Sequence, residues 1–390
     1  MPPFLLQVAE HIETNYSSDL QDICVVVPNR RSIVFLKKHL AVAHGKSFLS
    51  PAFFSIEDFL VSLTDLENIG TEEQLLILYK VYNELNSEKN NEEKLPLHEF
   101  SANAQIMLSD FNDIDANLVN AQVLFSSLAE IKQLSFFGKT EEELSPFQRN
   151  YLRFFKELGE YYTRFTKRLL QEKKAYQGLI YRQVAENLTA CFSKLPYKKY
   201  IFVGFNALSK VERLIVEYLR QIDALDYLID ADSFYVENPY HEAGQFIREL
   251  QKEVFDVKTL PMTGNYYKET PKKIHLIGLP QALTQAKALH EILEQLKENN
   301  PTLASTAIVP IDETLLLPIL HAIDTSNANI TMGYPLKQTV LYQLLRDLLI
   351  GLENKVKFTT SQKNNQNRIY YKDLFAFFNN PYIKDIVNQK

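Results

Sequence analysis

The sequence predicts an α/β protein with two parallel-sheet units, the first interrupted by a long helical insertion. Short runs of apolar, β-branched residues, each followed by a helical repeat, are typical of buried parallel strands in βαβ units. A stretch of about 130 residues with apolar side chains three or four apart separates two groups of these signals. A chain of 390 residues is also too long for one core, which favours two or three domains.

The first group of signals lies at the beginning of the chain. An amphipathic helix is predicted over residues 2–16, a strand at Ile23–Val27 and a second helix over Ser32–Leu40. Leucine, phenylalanine and tyrosine at helical spacing then predict an all-helical insertion over residues 56–175, with a polar loop at 86–94. We therefore expect the sheet to stop here and resume after the insertion.

The second group of signals completes the first unit. Strands are predicted at Tyr200–Val203 and Tyr227–Ile229, with a helix at 210–222 between them. The first sheet domain is therefore expected to comprise residues 1–55 and 176–260, as two halves of one sheet.

A second, incomplete α/β unit is predicted over residues 270–350, after a linker at 257–272 that contains proline and glycine. A mobile polar loop is expected at 352–368, and residues 351–390 are expected to begin a further helical insertion that is cut short, as in a piece of a longer protein. The elements predicted for this second unit are strands at Ile274–Ile277 and Ser305–Val309 and helices at Gln281–Glu298 and Thr314–Ala322. The last predicted helix, Tyr371–Phe378, lies in the further insertion.

Composition excludes several classes of protein. Cys24 and Cys191 form no CxxC pair, so a disulfide framework or zinc site is unsupported, and a cytoplasmic location is predicted. The sequence shows no signal peptide and no apolar stretch of about 18 residues, so no membrane association is expected. The net charge of −6 does not by itself predict nucleic-acid binding, for which a local basic channel matters more.

Four segments carry a family resemblance. Residues 25–31 (VVVPNRR), followed by a helix ending in FLKKHL, resemble motif Ia of superfamily I helicases, a strand and turn that touch the single-strand backbone. Residues 108–115 (LSDFNDID), 202–208 (FVGFNAL) and 332–336 (MGYPL) are the other three. Together they resemble the inactivated superfamily I helicase family, AddB-like proteins of Bacteroidetes, over about residues 4–385.

The resemblance implies two RecA-like domains of superfamily I type, the first with the helical insertion, and a C-terminal PD-(D/E)XK exonuclease domain in the full-length protein. It also implies DNA repair and recombination at double-strand breaks. The partners would be single-stranded or broken double-stranded DNA and an AddA-like helicase–nuclease subunit. This chain would then be a non-catalytic scaffold that holds DNA and the motor. The alternative is a protein-interaction module that has lost the nucleic-acid surface.

The residues that ATP hydrolysis requires are missing from three places. Gly45-Lys46-Ser47 follows a helix, and Leu40 stands where a P-loop needs glycine, so a helix C-cap is favoured. Gly204, Phe205 and Asn206 replace the acidic pair that would hold Mg²⁺ at the end of a strand. Residues 230–235 (DADSFY) lack the glutamine that senses the γ-phosphate. The sequence therefore predicts no ATP, no Mg²⁺ and no catalysis by this chain.

Other catalytic or metal sites are not favoured. Asp110, Asp113 and Asp115 lie on an amphipathic helix, where a solvated acidic face or an interdomain contact is the favoured interpretation. The eight histidines are scattered without metal-ligand spacing.

The candidate nucleic-acid-binding residues form two groups. Asn29, Arg30 and Arg31 follow a strand at the edge where α/β sheets bind ligands, and can bind phosphate by charge-assisted hydrogen bonds. A capped turn with solvent-exposed arginines is the alternative. Lys167 and Arg168 are the second group, on a helix that also carries Tyr161, Tyr162 and Phe165, and Lys173 and Lys174 follow. Such a face could follow a strand by charge and stacking, but the sequence favours a solvated helix face there.

Overall fold

The computed structural model describes residues 3–88, 94–134, 146–255, 263–361 and 369–388. The chain divides into two compact units, Met1–Lys272 and Lys273–Lys390. The first contains a four-stranded parallel sheet surrounded by helices, which confirms the predicted α/β class. In the described ranges, no helix is both long enough and apolar enough to cross a membrane.

The main sheet lies in the first unit and its strand order is β2-β1-β5-β6, all parallel. Val25 of β1 is paired with Phe53 of β2 on one side and with Ile201 of β5 on the other. The strands are β1 (Ile23–Val27), β2 (Ala52–Ser55), β3 (Glu67–Asn68), β4 (Lys174–Ala175), β5 (Lys199–Val203), β6 (Leu225–Leu228), β7 (Ala231–Asp232) and β8 (Thr263–Gly264). Strands that precede and follow the helical stretch therefore join in one sheet, as predicted.

Helices account for most of the first unit. The described part of the predicted insertion consists of helices joined by turns and loops, together with the short parallel pair of β3 and β4 that links its two ends. The helices are α1 (Phe4–Tyr16), α2 (Arg30–His44), α3 (Ile56–Ser62), α4 (Thr71–Glu88), α5 (Leu97–Ala116), α6 (Ala121–Leu134), α7 (Pro146–Gln171), α8 (Gln177–Glu186), α9 (Leu188–Phe192), α10 (Lys210–Gln221), α11 (Ser233–Val236), α12 (Gln245–Glu249) and α13 (Tyr266–Glu269).

Both faces of the sheet are buried, because successive side chains of a strand point to opposite faces. Val25 and Val27 of β1 belong to a core with α1 and α2. Cys24 and Val26 belong to a larger core that includes α3, α8, α10 and the helical insertion. This two-sided burial explains why β1 is a continuous apolar run without alternation.

Local capping sets the ends of the helices that border the sheet. Asn29 accepts a hydrogen bond from the Ser32 amide and so begins α2. Gly45 ends α2 with φ of 70°, and its amide donates to the carbonyl of Ala41. The prediction that Gly45 is a helix C-cap rather than part of a P-loop is therefore confirmed.

The predicted linker and polar loop differ from the structure. Thr263–Gly264 forms β8 and pairs with β7, and the amide of Tyr267 donates to Asp232 at 2.8 Å. Residues 263–272 thus belong to the first unit rather than to a free linker, because the pairing with β7 and the hydrogen bond to Asp232 hold them. The polar loop at 86–94 begins later than predicted, since α4 continues to Glu88; residues 89–93 lie outside the described residues.

Within the described residues, the second unit contains helices and no strand. It contains α14 (Ala282–Asn299), α15 (Leu316–Ala322), α16 (Val340–Ser361), α17 (Tyr371–Asn379) and α18 (Pro381–Asn388). The predicted strands at Ile274–Ile277 and Ser305–Val309 are wrong: neither segment pairs with a neighbour within the described residues, and Ser305 lies in a turn. An apolar run becomes a strand only when a neighbour completes its hydrogen bonds, and composition cannot reveal that neighbour.

The end of the chain also differs from expectation. Residues 352–361, predicted as part of a mobile loop, form the last turns of α16, while 362–368 lie outside the described residues. The predicted helix at 371–378 is confirmed as α17, and α18 follows it directly at Pro381. Proline is tolerated at the first position of a helix, where its missing amide is not needed.

Candidate nucleic-acid interface at the carboxyl edge of the sheet

A pocket of about 510 Å³ lies at the carboxyl edge of the main sheet. Val27 and Val203 close the ends of β1 and β5, and Asp230 follows β6 at the same edge. Residues of α1 and α2 form the other walls, so the lining is largely apolar, with Asn29, Ser32, His39 and Asp230 as polar members. Ligands of open parallel sheets bind at this edge.

Asn29 lines this pocket but its side-chain oxygen is already used. Its Oδ1 accepts from the Ser32 amide at 3.0 Å and from the Ser32 hydroxyl at 3.1 Å. The capped-turn interpretation is therefore correct for the oxygen of Asn29, and a phosphate could be met only by the side-chain amide group.

Arg30 points to Asp58, on the first turn of α3. Its Nε donates to Asp58 Oδ2 at 2.8 Å and its Nη2 donates to Oδ1 at 2.5 Å, a bidentate pair. The hydrogen bonds from Arg30 and from the Ser55 hydroxyl lower the pKa of Asp58 from 3.8 to about 2. The Arg30 side chain remains 80% exposed, so the pair is open to solvent and to competing anions.

Arg31 is the other cation of this turn. It is exposed, and within the described residues it makes no ion pair. The two guanidinium groups in the first turn of α2 are repelled by the positive end of the helix dipole. This placement is unfavourable unless an anion is close. Asp58 supplies that anion for Arg30 only.

Gly204, Phe205 and Asn206 follow β5 at the same edge. Gly204 has φ of 75°, and a Cβ there would lie 3.4 Å from the ring of Phe4. Phe205 is buried and Asn206 is exposed, so no carboxylate follows β5. The pocket does contain one acid, Asp230, whose pKa burial raises. In the sequence, Asp230 belongs to the segment 230–235, which is separate from residues 204–206. The sequence pattern does not show that Asp230 and Gly204 line the same pocket.

Lys167 and Arg168 do not join this edge; they lie on α7 in the helical insertion. Arg168 pairs with Glu84 of α4 at 2.9 Å, and Lys174 pairs with Glu73 at 2.8 Å. Lys167 is exposed. Among the aromatic residues of this helix, Tyr161 is 4% and Phe165 0% exposed, whereas Phe154 is 36% exposed. Tyr161 and Phe165 therefore belong to the core and are not placed to stack bases.

The acidic segment at residues 110–115 also differs in part from expectation. Asp110 and Asp113 are exposed, as a solvated face requires. The pKa of Asp110 is nevertheless raised, mainly because its carboxyl group is partly desolvated. Asp115 is fully buried, which contradicts the solvated interpretation for this residue. It accepts hydrogen bonds from the hydroxyls of Tyr162 and Tyr176 and from Arg182 Nε.

The described residues contain no group of three or more histidine, cysteine, aspartate or glutamate side chains that could hold a metal ion. No family model matches the chain, and no curated protein matches it either. The resemblance to AddB-like proteins therefore stays a prediction, and so does the absence of ATP, Mg²⁺ and catalysis.

Proposed function

We propose that this chain is a non-catalytic, helicase-like scaffold of an AddB-like repair and recombination nuclease subunit. In this proposal it holds single-stranded DNA and a motor helicase–nuclease partner and does not hydrolyse ATP. In the proposed architecture the first RecA-like domain comprises residues 1–55 and 176–260 and the second comprises residues 270–350, and the protein acts in the cytoplasm.

The support comes from the carboxyl edge of the sheet. The turn after β1 ends in Asn29, Arg30 and Arg31, and the pocket beside it has an apolar floor where Phe4 lies against Gly204. Such a floor lacks the amide cradle and the acidic pair that a nucleoside triphosphate with Mg²⁺ needs. The adjoining turn keeps guanidinium groups that suit a phosphodiester backbone.

One observation carries the DNA part of the proposal: Arg31 is exposed at the first turn of α2 and makes no ion pair in the described part of the chain. An arginine left at the positive end of a helix is explained by an anion that binds there. A phosphate of single-stranded DNA is the anion that we propose.

The test is the anisotropy of a labelled oligothymidine, titrated with the full chain at several stated salt concentrations. We expect Arg31→Ala to weaken binding several-fold and to reduce the salt slope by about 1, the loss of one phosphate contact. Arg220→Ala is the matched control, because this exposed arginine ends α10 at the opposite edge of the sheet. Absence of binding by the wild-type chain sinks the DNA part of the proposal.

A second candidate, a protein-interaction module without nucleic-acid binding, is favoured by the second unit. Its segments between helices expose large apolar side chains: Leu276 is 95% exposed, Val309 80% and Ile311 100%. Exposed apolar groups of this kind mark interaction surfaces when they cluster. Tight binding of a motor subunit by a chain with no DNA affinity would decide for this candidate.

A further inference from the structure

The loop at residues 237–242 displays a tyrosine on a rigid support. The side chain of Tyr240 is 93% exposed. A single exposed aromatic ring is unremarkable on a flexible loop, but a fixed one is a preorganised contact that loses little conformational entropy when a partner binds. The value of Tyr240 as a binding contact therefore depends on how firmly this loop is held.

A single guanidinium holds the loop in shape. Arg248 Nη1 donates to the carbonyls of Tyr235 at 3.0 Å and Asn238 at 2.8 Å. Its Nη2 donates to the carbonyls of Pro239 at 3.2 Å and His241 at 2.8 Å. Four carbonyls on one planar fork fix both sides of the loop relative to α12, where Arg248 lies.

Local contacts complete this support. Asn238 Oδ1 accepts from the Tyr240 amide at 3.0 Å, which closes the turn on the inside. The His241 ring packs edge-on to Tyr235 with centroids 4.7 Å apart. A Cβ at Gly244 would lie 2.1 Å from the Tyr235 carbonyl oxygen, so only glycine allows this close approach. Pro239 removes further freedom.

The charge of the loop indicates the kind of partner. Glu237 and Glu242 are exposed on either side of Tyr240, and neither makes an ion pair within the described residues. Arg248 directs its fork into the loop and away from solvent. The exposed charged residues of the loop itself are therefore both acidic, which disfavours a phosphate backbone at the tyrosine and favours a basic protein surface.

We propose that Tyr240 is the anchor of a protein-docking loop: its ring enters an apolar pocket of a partner protein, and lysine or arginine residues around that pocket pair with Glu237 and Glu242. Tyrosine is enriched among the residues that dominate binding energy, and rim charges steer association. The choice of partner rests on the proposed function, since that partner is the motor helicase–nuclease subunit.

The test is the affinity of the full chain for the purified AddA-like subunit from the same source. We expect Tyr240→Ala to raise Kd about thirtyfold, the effect of losing a dominant contact. We expect Tyr240→Phe to stay within about threefold, because it keeps the ring. Glu237→Gln with Glu242→Gln should slow association and flatten its salt dependence. The matched control is Tyr382→Ala, which removes a 54% exposed tyrosine from α18.

A second variant tests whether the hydrogen bonds from Arg248 to the loop are needed. Arg248→Lys keeps the charge but cannot reach four carbonyls, so we expect an intermediate loss of affinity with the ring still present. Thermal unfolding checks that each variant folds.

The outcomes separate the two proposals. If the wild-type chain binds the motor and Tyr240→Ala binds within threefold of it, the docking loop is wrong and the scaffold function stands. If the wild-type chain does not bind the motor, the proposed function fails and the docking loop fails with it. If Tyr240→Ala loses oligothymidine affinity but keeps the motor, the loop is a nucleic-acid contact and the inference is overturned.

Discussion

Asp115 of α5 and Arg182 of α8 form a buried ion pair that joins the helical insertion to the sheet-covering helices. The Asp115 carboxylate is 0% exposed and lies 2.5 Å from Arg182 Nε. The other end of the guanidinium donates to the carbonyls of Ile114 at 3.1 Å and Val119 at 2.7 Å. Arg182 thus donates hydrogen bonds both to the Asp115 carboxylate and to two carbonyls near the end of α5.

We expect Asp115→Ala to lower the free energy of unfolding by about 3–5 kcal/mol, because it removes the carboxylate partner of a largely buried guanidinium and the acceptor of two tyrosine hydroxyls. Asp115→Asn should cost less, since an amide oxygen still accepts. Urea unfolding measures both. Asp113→Ala, two positions away and exposed, is the control and should stay within about 0.5 kcal/mol of wild type. Equal effects of both alanines would contradict a specific role for Asp115.

The Arg30–Asp58 pair predicts a gain of DNA affinity. Asp58 occupies the fork of Arg30 that a phosphate would bind, so Asp58→Asn should free it. We expect Kd for oligothymidine to fall about threefold to tenfold and the salt slope to steepen by about 1. Asp65→Asn controls for net charge, because it removes an acid paired with Lys194 on another surface. Weaker binding by Asp58→Asn would mean that Asp58 positions Arg30 instead of competing for it.

The same pair predicts a pH dependence. The pKa of Asp58 is lowered to about 2 in the folded chain, so its contribution to stability is complete above the ordinary value of 3.8 and is lost as pH falls through about 2. The difference in unfolding free energy between wild type and Arg30→Ala should therefore be largest near pH 5 and shrink towards pH 2. Urea unfolding across this range measures it. The corresponding difference for Arg220→Ala should not vary with pH; a constant difference for Arg30→Ala would refute the ion pair.

The first unit was predictable because its elements carry local signals. The run at Ile23–Val27 is bounded by polar residues and became β1 at those positions. Ser209 and Glu212 form a capping box that begins α10 where the periodicity predicted it. By contrast, Ile274–Ile277 is also mostly apolar, with His275 as its polar residue, and is not a strand. Strand formation there depends on a neighbour, which no local pattern encodes.

The candidate site was predictable in position but not in detail. The order of strand and turn placed Asn29, Arg30 and Arg31 at the carboxyl edge, where the structure has them. The pairing of Arg30 with Asp58, 28 positions later, needed the arrangement of α2 and α3. Similarly, the burial of Asp115 needed the approach of α8, since helical periodicity assigns a face but not what covers it.

The cations of α7 are expected to stabilise the helical insertion rather than bind DNA. Arg168 pairs with Glu84, and Arg164 pairs with Glu88 at 2.7 Å, so α7 and α4 are joined by opposite charges. We expect Lys167→Ala and Arg168→Ala to leave oligothymidine affinity within about twofold, and Arg168→Ala to cost less than about 1 kcal/mol of stability. Glu84→Ala is a second control, because it removes the partner of Arg168 and leaves the arginine in place. If Arg168→Ala weakened DNA binding as much as Arg31→Ala, the helical insertion would have to form part of the DNA path.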